Sequence, residues 1–179
     1  SISFSSNTNN SLTSGPSNDW AVGTGDYTIE WFSYITSFSS SSKIFELGNQ
    51  AFQVNQRYNG GQGTSSLGLN IWTGPGQSNR TQVSVALNIN TWNYIALSRV
   101  SGFLNVYVNG QRVYRGPDTS NITNNTSNLV IGSAIYGLLT NFRWVKGTGL
   151  YDTSTIPVPN QPLTAVTNTK LLLKATDAG

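Results

Sequence analysis

Between Trp92 and Tyr114 the chain reads W-N-Y-I-A-L-S-R-V-S-G-F-L-N-V-Y-V-N-G-Q-R-V-Y, and its two turn dipeptides leave little conformational choice. Asn-Gly between apolar runs accepts φ > 0 at both central residues of a type I′ turn, so Asn109-Gly110 predicts a tight antiparallel hairpin. Ser101-Gly102 predicts another immediately before it. Strands are therefore expected over 94–100, 103–108 and 111–114. A two-residue turn at Asn109-Gly110 sets Val106 opposite Val113 on one face and Tyr107 opposite Arg112 on the other. One face is apolar and the other aromatic and polar, a surface suited to meeting a partner.

Strand patterns dominate the remainder, and no helical period persists beyond two turns. Further strands are expected over 1–4, 27–35, 43–47, 51–58, 66–72, 81–87, 129–132 and 138–145, with 171–173 closing the set. Gly, Asn, Ser and Pro mark the connections: 37–42, 59–63, 74–76, 116–127 and the Pro-rich stretch 153–162. This spacing predicts an all-β, two-sheet antiparallel β-sandwich. The 179 residues suit one domain spanning 1–179, long enough to bury about 70% of its unfolded surface. Methionine is absent even at position 1, which reads as a processed product or a domain cut from a larger protein.

Composition removes whole classes of chemistry. The chain has no His and no Cys, so Ser-His-Asp and Cys-His nucleophiles, His-based zinc sites and disulfides cannot form within it. Gly60-Gly61-Gln62-Gly63 is followed by no Lys and no helix, so it is a turn rather than a phosphate cradle. Paired carboxylates are what remain for catalysis. There are seven acids: Asp19, Asp26, Glu30, Glu46, Asp118, Asp152 and Asp177. A hairpin of 27–35 with 41–47, centred near Phe38, would set Glu30 opposite Glu46 with Cβ atoms about 4.5–5.5 Å apart, a spacing that suits a retaining glycosidase. The competing reading, Glu30 as a structural acid, is preferred, and no catalytic residue is assigned.

Only 9% of residues are charged, against a usual value of about 25%. Ser, Thr, Asn and Gly fill the gap and give a neutral, hydrogen-bonding surface of the kind that touches sugars or packs into fibres and shells. The ten basic residues give a net charge of +3 but are spread thinly, so no nucleic-acid footprint is expected. No apolar run approaches the roughly 18 residues of a membrane helix, and no membrane partner is expected. Affinity for a neutral ligand must then come from ring stacking supported by amide hydrogen bonds. Trp31, Phe32, Trp92, Phe142 and Trp144 are assigned to the core. The candidate ligand-binding residues are Tyr107, Arg112 and Tyr114 beside the Asn-rich 116–127 loop, and alternatively Trp72 and Tyr58 beside the Gly-rich turn.

Three stretches carry a resemblance. W-N-Y-I-A-L-S-R … L-N-V-Y-V-N-G, G-T-G-D-Y-T-I-E-W (23–31), and L-V-I-G-S (129–133) followed by L-T-N-F-R-W (139–144) resemble the strands of laminin-G-like, concanavalin A-like jelly-roll domains. The tail from Gly147 through Pro157, Pro159 and Pro162 to Leu173 is similar to the variant repeated in phage and algal-virus structural proteins. The resemblance implies the concanavalin A-like lectin/glucanase jelly roll, a fold that serves lectins, adhesins, glycanases and structural modules alike. Secreted animal members commonly carry a disulfide, so the absence of Cys favours a viral, phage or bacterial chain. Relatives often hold calcium, but only Asp26 and Glu30 lie close in sequence. The calcium signal is weak and no cofactor is assigned.

The expected function is a non-catalytic glycan-binding or host-attachment module of a virus or phage fibre, spike or capsid-associated protein, at the virion or extracellular surface. Its expected partners are cell-surface or cell-wall polysaccharide and other virion proteins. The alternatives are a wall-polysaccharide glycosidase or lyase on the same fold, and a structural decoration or fibre module.

Overall fold

The computed structural model describes residues 1–4, 10–48, 52–58, 67–73, 79–123 and 126–174, with the side chains at 38–41, 56–58, 67, 79, 80, 82, 84 and 86 excepted. Eleven strands lie among the described residues: β1 (Ile2–Phe4), β2 (Leu12–Thr13), β3 (Tyr27–Leu47), β4 (Phe52–Tyr58), β5 (Leu67–Thr73), β6 (Asn79–Leu87), β7 (Trp92–Val100), β8 (Phe103–Val108), β9 (Gln111–Pro117), β10 (Leu129–Lys146) and β11 (Thr169–Leu173). All pairings between them are antiparallel.

The two turn dipeptides do what their chemistry predicts. Ser101, Gly102, Asn109 and Gly110 all have positive φ, at 49°, 79°, 48° and 83°. Tyr107 pairs with Arg112 as expected, but Val106 pairs with Tyr114 instead of Val113, because a bulge falls between the two pairs and leaves Val113 as the extra residue.

The largest departure concerns the segments over 37–42 and 133–137. They are not loops. Residues 27–47 form one strand and 129–146 another, and the two pair from Tyr27↔Lys146 to Leu47↔Leu129. Ser37 and Phe38 pair with Tyr136 and Ile135, and Lys43 with Ser133, so the ladder holds on both sides of residues 39–42 and a register shift at Ala134 accommodates that Ser-rich stretch. Three register shifts along β10 bend the pair. Gly132, with φ of 81°, sits against the Phe4 ring, whose Cε1 lies 2.0 Å from the place where a Cβ would stand.

These two long strands run through both layers. In the first layer the order is β9-β8-β7-β3-β10-β11, and in the second β6-β5-β4-β3-β10-β2, with β1 pairing β10 between them. The inner faces meet in an aromatic core. Trp31 and Phe142 of the first layer pack on Phe45 of the second, with ring centroids 6.3 and 6.0 Å away. Trp144 packs on Phe52 at 5.7 Å, and Tyr27 on Phe52 at 5.4 Å. Trp31, Phe142 and Trp144 are buried, as assigned from sequence.

A buried arginine fixes one end of the sandwich. Arg99 donates from Nε and Nη2 to Gly25 O (2.9 and 2.5 Å), from Nη2 to Gly23 O (2.7 Å) and from Nη1 to Ser120 O (2.9 Å). Asp118 supplies the counter-charge at 3.4 Å. One side chain thereby ties two loops together while its charge stays compensated.

After β10 the chain crosses the outer face of the first layer as an irregular strap, residues 147–168, before returning as β11. Arg112 N donates to Ser154 O (2.9 Å), and Ile156 N donates to Gly110 O (2.8 Å). Tyr107 Oη donates to Thr153 O (2.9 Å), and Arg143 Nη1 to Thr164 O (2.7 Å).

Candidate functional site

Strand alternation places Thr28, Glu30, Phe32 and Tyr34 of β3 on the outer face of the first layer. The β3–β7 register sets Phe32 opposite Tyr94 and Tyr34 opposite Trp92, and the β7–β8 register sets Ala96 opposite Tyr107. A row of aromatic rings therefore crosses this face, from Tyr34/Trp92 through Phe32/Tyr94 to Tyr107/Tyr151. The ring centroids within these three pairs lie 5.6, 4.9 and 6.0 Å apart. The strap covers one end of the row and leaves the other open.

Beneath the strap lies a closed polar cluster. Glu30 is fully buried. Its Oε1 accepts from Arg143 Nε (2.8 Å) and Nη2, and its Oε2 accepts from Tyr94 Oη (2.5 Å) and Tyr151 Oη (3.1 Å). Burial, and then the adjacent Glu30 carboxylate, push both phenols up, that of Tyr94 well above the ordinary tyrosine range. The backbone N–H of Leu150 donates to Thr28 Oγ1 (2.8 Å) and that of Tyr151 to Ser98 Oγ (3.1 Å), which seals the strap over the cluster.

This arrangement corrects the paired-carboxylate expectation. Glu30 and Glu46 do not face each other across a hairpin, because both lie on the single strand β3. Glu30 pairs in register with Arg143 and Ala96, and Glu46 with Val130 and Gln53. Glu46 is engaged by Lys43 Nζ at 2.6 Å. Both lone-pair faces of Glu30 are occupied, so it acts here as a structural anchor for Arg143 and the strap.

The candidate ligand residues are dispersed. Tyr107 is buried under the strap rather than open to a ligand, and burial pushes its phenol up. Arg112 Nη1 holds Asn105 Oδ1 (3.2 Å) and Asp152 O (2.9 Å), so its fork is spent on the strap. Tyr114 turns inward through the bulge and packs half-buried against the core, its ring lying over Gly116. Trp72 is buried on β5 opposite Gln53. The Tyr58 side chain and the Gly-rich turn beside it lie outside the described residues; its backbone pairs with Leu67, at the opposite end of the β4–β5 ladder from Trp72. Tyr107 and Arg112 pair across β8 and β9 of the first layer, whereas Trp72 belongs to β5 of the second, so the two alternative clusters lie in different layers.

Two aromatics are exposed among the described residues, Phe103 and Trp92, and the second is one that sequence reasoning assigned to the core. Trp92 is 40% exposed at the start of β7. Its ring packs against that of Tyr34, and the turn that leads into β7 is closed by Asn93 Nδ2, which donates to Asn88 O (3.0 Å) and Thr91 O (3.1 Å), and by Asn90 N, which donates to Ile35 O (2.8 Å). The signal was present in the alternation Trp92, Tyr94, Ala96, which puts Trp92 on the outer face, opposite to the core residues Ile95 and Leu97.

Trp92 forms one wall of an open cleft of about 420 Å³, together with Phe32, Thr140, Asn141, Pro159, Asn160, Gln161 and Pro162. Asn141 reaches it through a bulge. Thr140 pairs with Phe32 and Arg143 with Glu30, so two residues of β10 oppose one of β3, and Asn141 takes the left-handed conformation at φ 52°. Asn141 Oδ1 accepts from Leu163 N (3.2 Å) and fixes the strap as the opposite wall. Aromatic faces, prolines, amides and one hydroxyl line this cleft, and among the described residues no ionisable side chain does. Among the described residues no group of three acids lies together as a metal site.

The sequence matches the profile of the concanavalin A-like lectin/glucanases superfamily over residues 6–155. No curated protein matches it in sequence. Several solved structures share the fold. A Bacteroides ovatus protein, for which carbohydrate binding is suggested, superposes with a TM-score of 0.68 at 14% identity, covering 96% of this chain and 50% of its own. This chain thus spans half the length of that protein. A heptameric SAP-like pentraxin from Limulus polyphemus gives 0.61 at 13% identity, covering 82% and 76%. The enzymatically active domain of bacteriophage CBA120 tailspike protein 2 gives 0.52 at 14% identity, covering 78% and 24%.

Proposed function

This chain belongs to the concanavalin A-like lectin/glucanases superfamily, and from that premise we propose that it is a glycan-binding domain whose ligand lies in the cleft between Trp92 and the strap. One observation carries the reading: an exposed indole, packed on one side against Tyr34, faces a wall of prolines and amides across an open cleft. Sugar rings present an apolar C–H face and an equatorial rim of hydroxyls. Trp92 and Phe32 suit the first, and Asn141, Asn160, Gln161 and Thr140 the second. An open cleft on a single domain fits micromolar to millimolar affinity, roughly −8 to −4 kcal/mol.

The setting we favour is a host-attachment module of a virus or phage surface protein, displayed on the virion or another extracellular surface beside other structural proteins. The Cys-free, sparsely charged composition supports it, as does the use of this fold in a phage tailspike. Its ligand would then be the polysaccharide of a host cell surface or wall.

The test is to incubate the domain with isolated cell wall and measure pull-down and sugar release together. Retention without release, reduced at least fivefold by Trp92→Ala, is the expected result. Release of reducing ends would replace this reading with the glycosidase or lyase, and absence of retention on any wall would replace it with the structural module.

A further inference from the structure

The cleft and the molecule as a whole carry opposite electrostatic signatures, and the contrast bears on which glycan the cleft takes. Overall the chain is basic, with a net charge of +3. A basic protein draws acidic polymers toward itself at low salt, whatever its binding site prefers. The cleft presents none of that charge. Its walls offer two aromatic rings, two prolines, three amides and a hydroxyl.

Of the charges around this face, one pair is buried and the others, among them the exposed Lys174 that follows β11, stand outside the lining of the cleft. Glu30 and Arg143 pair with each other beneath Tyr94 and Tyr151, out of contact with solvent. At the far end of the strap, Arg112 and Arg115 share Asp152 at 3.9 and 3.6 Å. Lys146 lies further along β10, and its Nζ donates to Asn18 O (2.6 Å). A carboxylate entering the cleft would lose water and meet no cation there, a loss that amides only partly offset. Nor do the lining residues contain a carboxylate that could hold a bridging calcium against sugar hydroxyls, since hard cations need several charged oxygens.

We propose that the cleft selects neutral glycans and binds them without a metal ion; this rests on the glycan-binding reading of the same cleft. Discrimination against acidic sugars arises from the absence of a partner for their charge, not from a clash. Attraction of acidic glycans to the basic surface is a separate, diffuse effect, and ionic strength separates the two because it screens exposed charges over about 10 Å at 0.1 M and about 3 Å at 1 M.

The experiment is calorimetric titration of the domain with neutral cello-, manno-, xylo- and arabino-oligosaccharides and with acidic oligogalacturonides and sialyllactose. Each titration is run at 0.05 and 0.5 M NaCl, with EDTA and with calcium. The expected result is that at least one neutral series binds, that its affinity changes less than twofold with salt or EDTA, and that Trp92→Ala weakens it tenfold or more while Trp92→Phe restores part of the loss. Any acidic binding should fall at least fivefold at high salt and be indifferent to Trp92→Ala. Salt-resistant, Trp92-dependent binding of an acidic sugar in preference to every neutral one overturns the proposal but leaves the cleft a glycan site. Loss of neutral binding in EDTA overturns its metal-independent half. Absence of binding in both series overturns the glycan reading and this inference with it. Unchanged melting temperatures of the two variants confirm that each assay reports on folded protein.

Discussion

Glu30 shows how little a residue's type says about its role until its neighbours are known. As a carboxylate in a chain with only seven acids it was a candidate for chemistry, yet it is fully buried, and its two oxygens accept from Arg143, Tyr94 and Tyr151. Removing its charge leaves the Arg143 guanidinium buried without a counter-ion, which costs about 3–5 kcal/mol. Glu30→Gln should therefore lower the midpoint of urea unfolding strongly. Glu30→Gln combined with Arg143→Met should recover much of the loss, because the uncompensated charge leaves with the arginine. If the double variant is no more stable than the single one, the destabilisation has another origin. Trp92 teaches the same lesson from the other side. Its type is that of Trp31 and Trp144, but its alternation with Tyr94 and Ala96 puts it on the outer face, and the course of the strap leaves it exposed there.

Among the elements, those defined by local chemistry were legible. The tandem hairpin β7–β8–β9 follows from two dipeptides that accept positive φ. What sequence did not reveal was set by distant partners. Ser37–Ser42 reads as a loop by composition, but β3 runs on through it because β10 pairs with Ser37 and Phe38 before it and with Lys43 after it. The strap has no period at all, so nothing in its sequence tells which face it covers, and with that the exposure of Tyr107 and the existence of the cleft were hidden.

Two predictions belong to the strap. Gly110 combines φ of 83° with a position where a Cβ would stand 2.7 Å from Ile156 O. Gly110→Ala should cost about 1–3 kcal/mol in backbone strain alone and lower Tm by roughly 2–4 °C per kcal/mol in a chain of this size. An unchanged Tm would mean that the turn and the strap do not meet there. Tyr107→Phe deletes the hydrogen bond to Thr153 O, worth about 0.5–1.5 kcal/mol, but touches no wall of the cleft. Isothermal titration should find glycan affinity within about twofold of the parent; a loss as large as that of Trp92→Ala would place the ligand under the strap instead.

At the scale of the whole molecule, stability has an alkaline limit. Burial pushes the phenols of Tyr27, Tyr94, Tyr107 and Tyr151 above their ordinary value of about 10. The unfolded chain releases these protons near pH 10 and the native state does not, so the stabilisation is complete below pH 10 and declines as pH rises beyond it. Phenolate absorbance followed with circular dichroism should show a cooperative step above pH 10, in which these tyrosines ionise together with loss of structure. Tyr94→Phe should move that step to higher pH relative to its own stability at pH 7. Smooth ionisation of all tyrosines in a protein that stays folded would contradict this account.

The shared edge of β10 has an architectural consequence. Ile2 pairs with Leu139 and Leu173 with Phe142, on the same side of that strand, so β1 and β11 meet it three residues apart, about 10 Å along the strand. Thr140 and Asn141, which line the cleft, occupy the interval between them. A purification tag, a linker or a neighbouring domain joined before Ser1 begins beside Ile2 and so stands at the doorstep of the cleft. It can lengthen the binding surface or crowd it, and affinity measured on the isolated domain need not be that of the assembled protein.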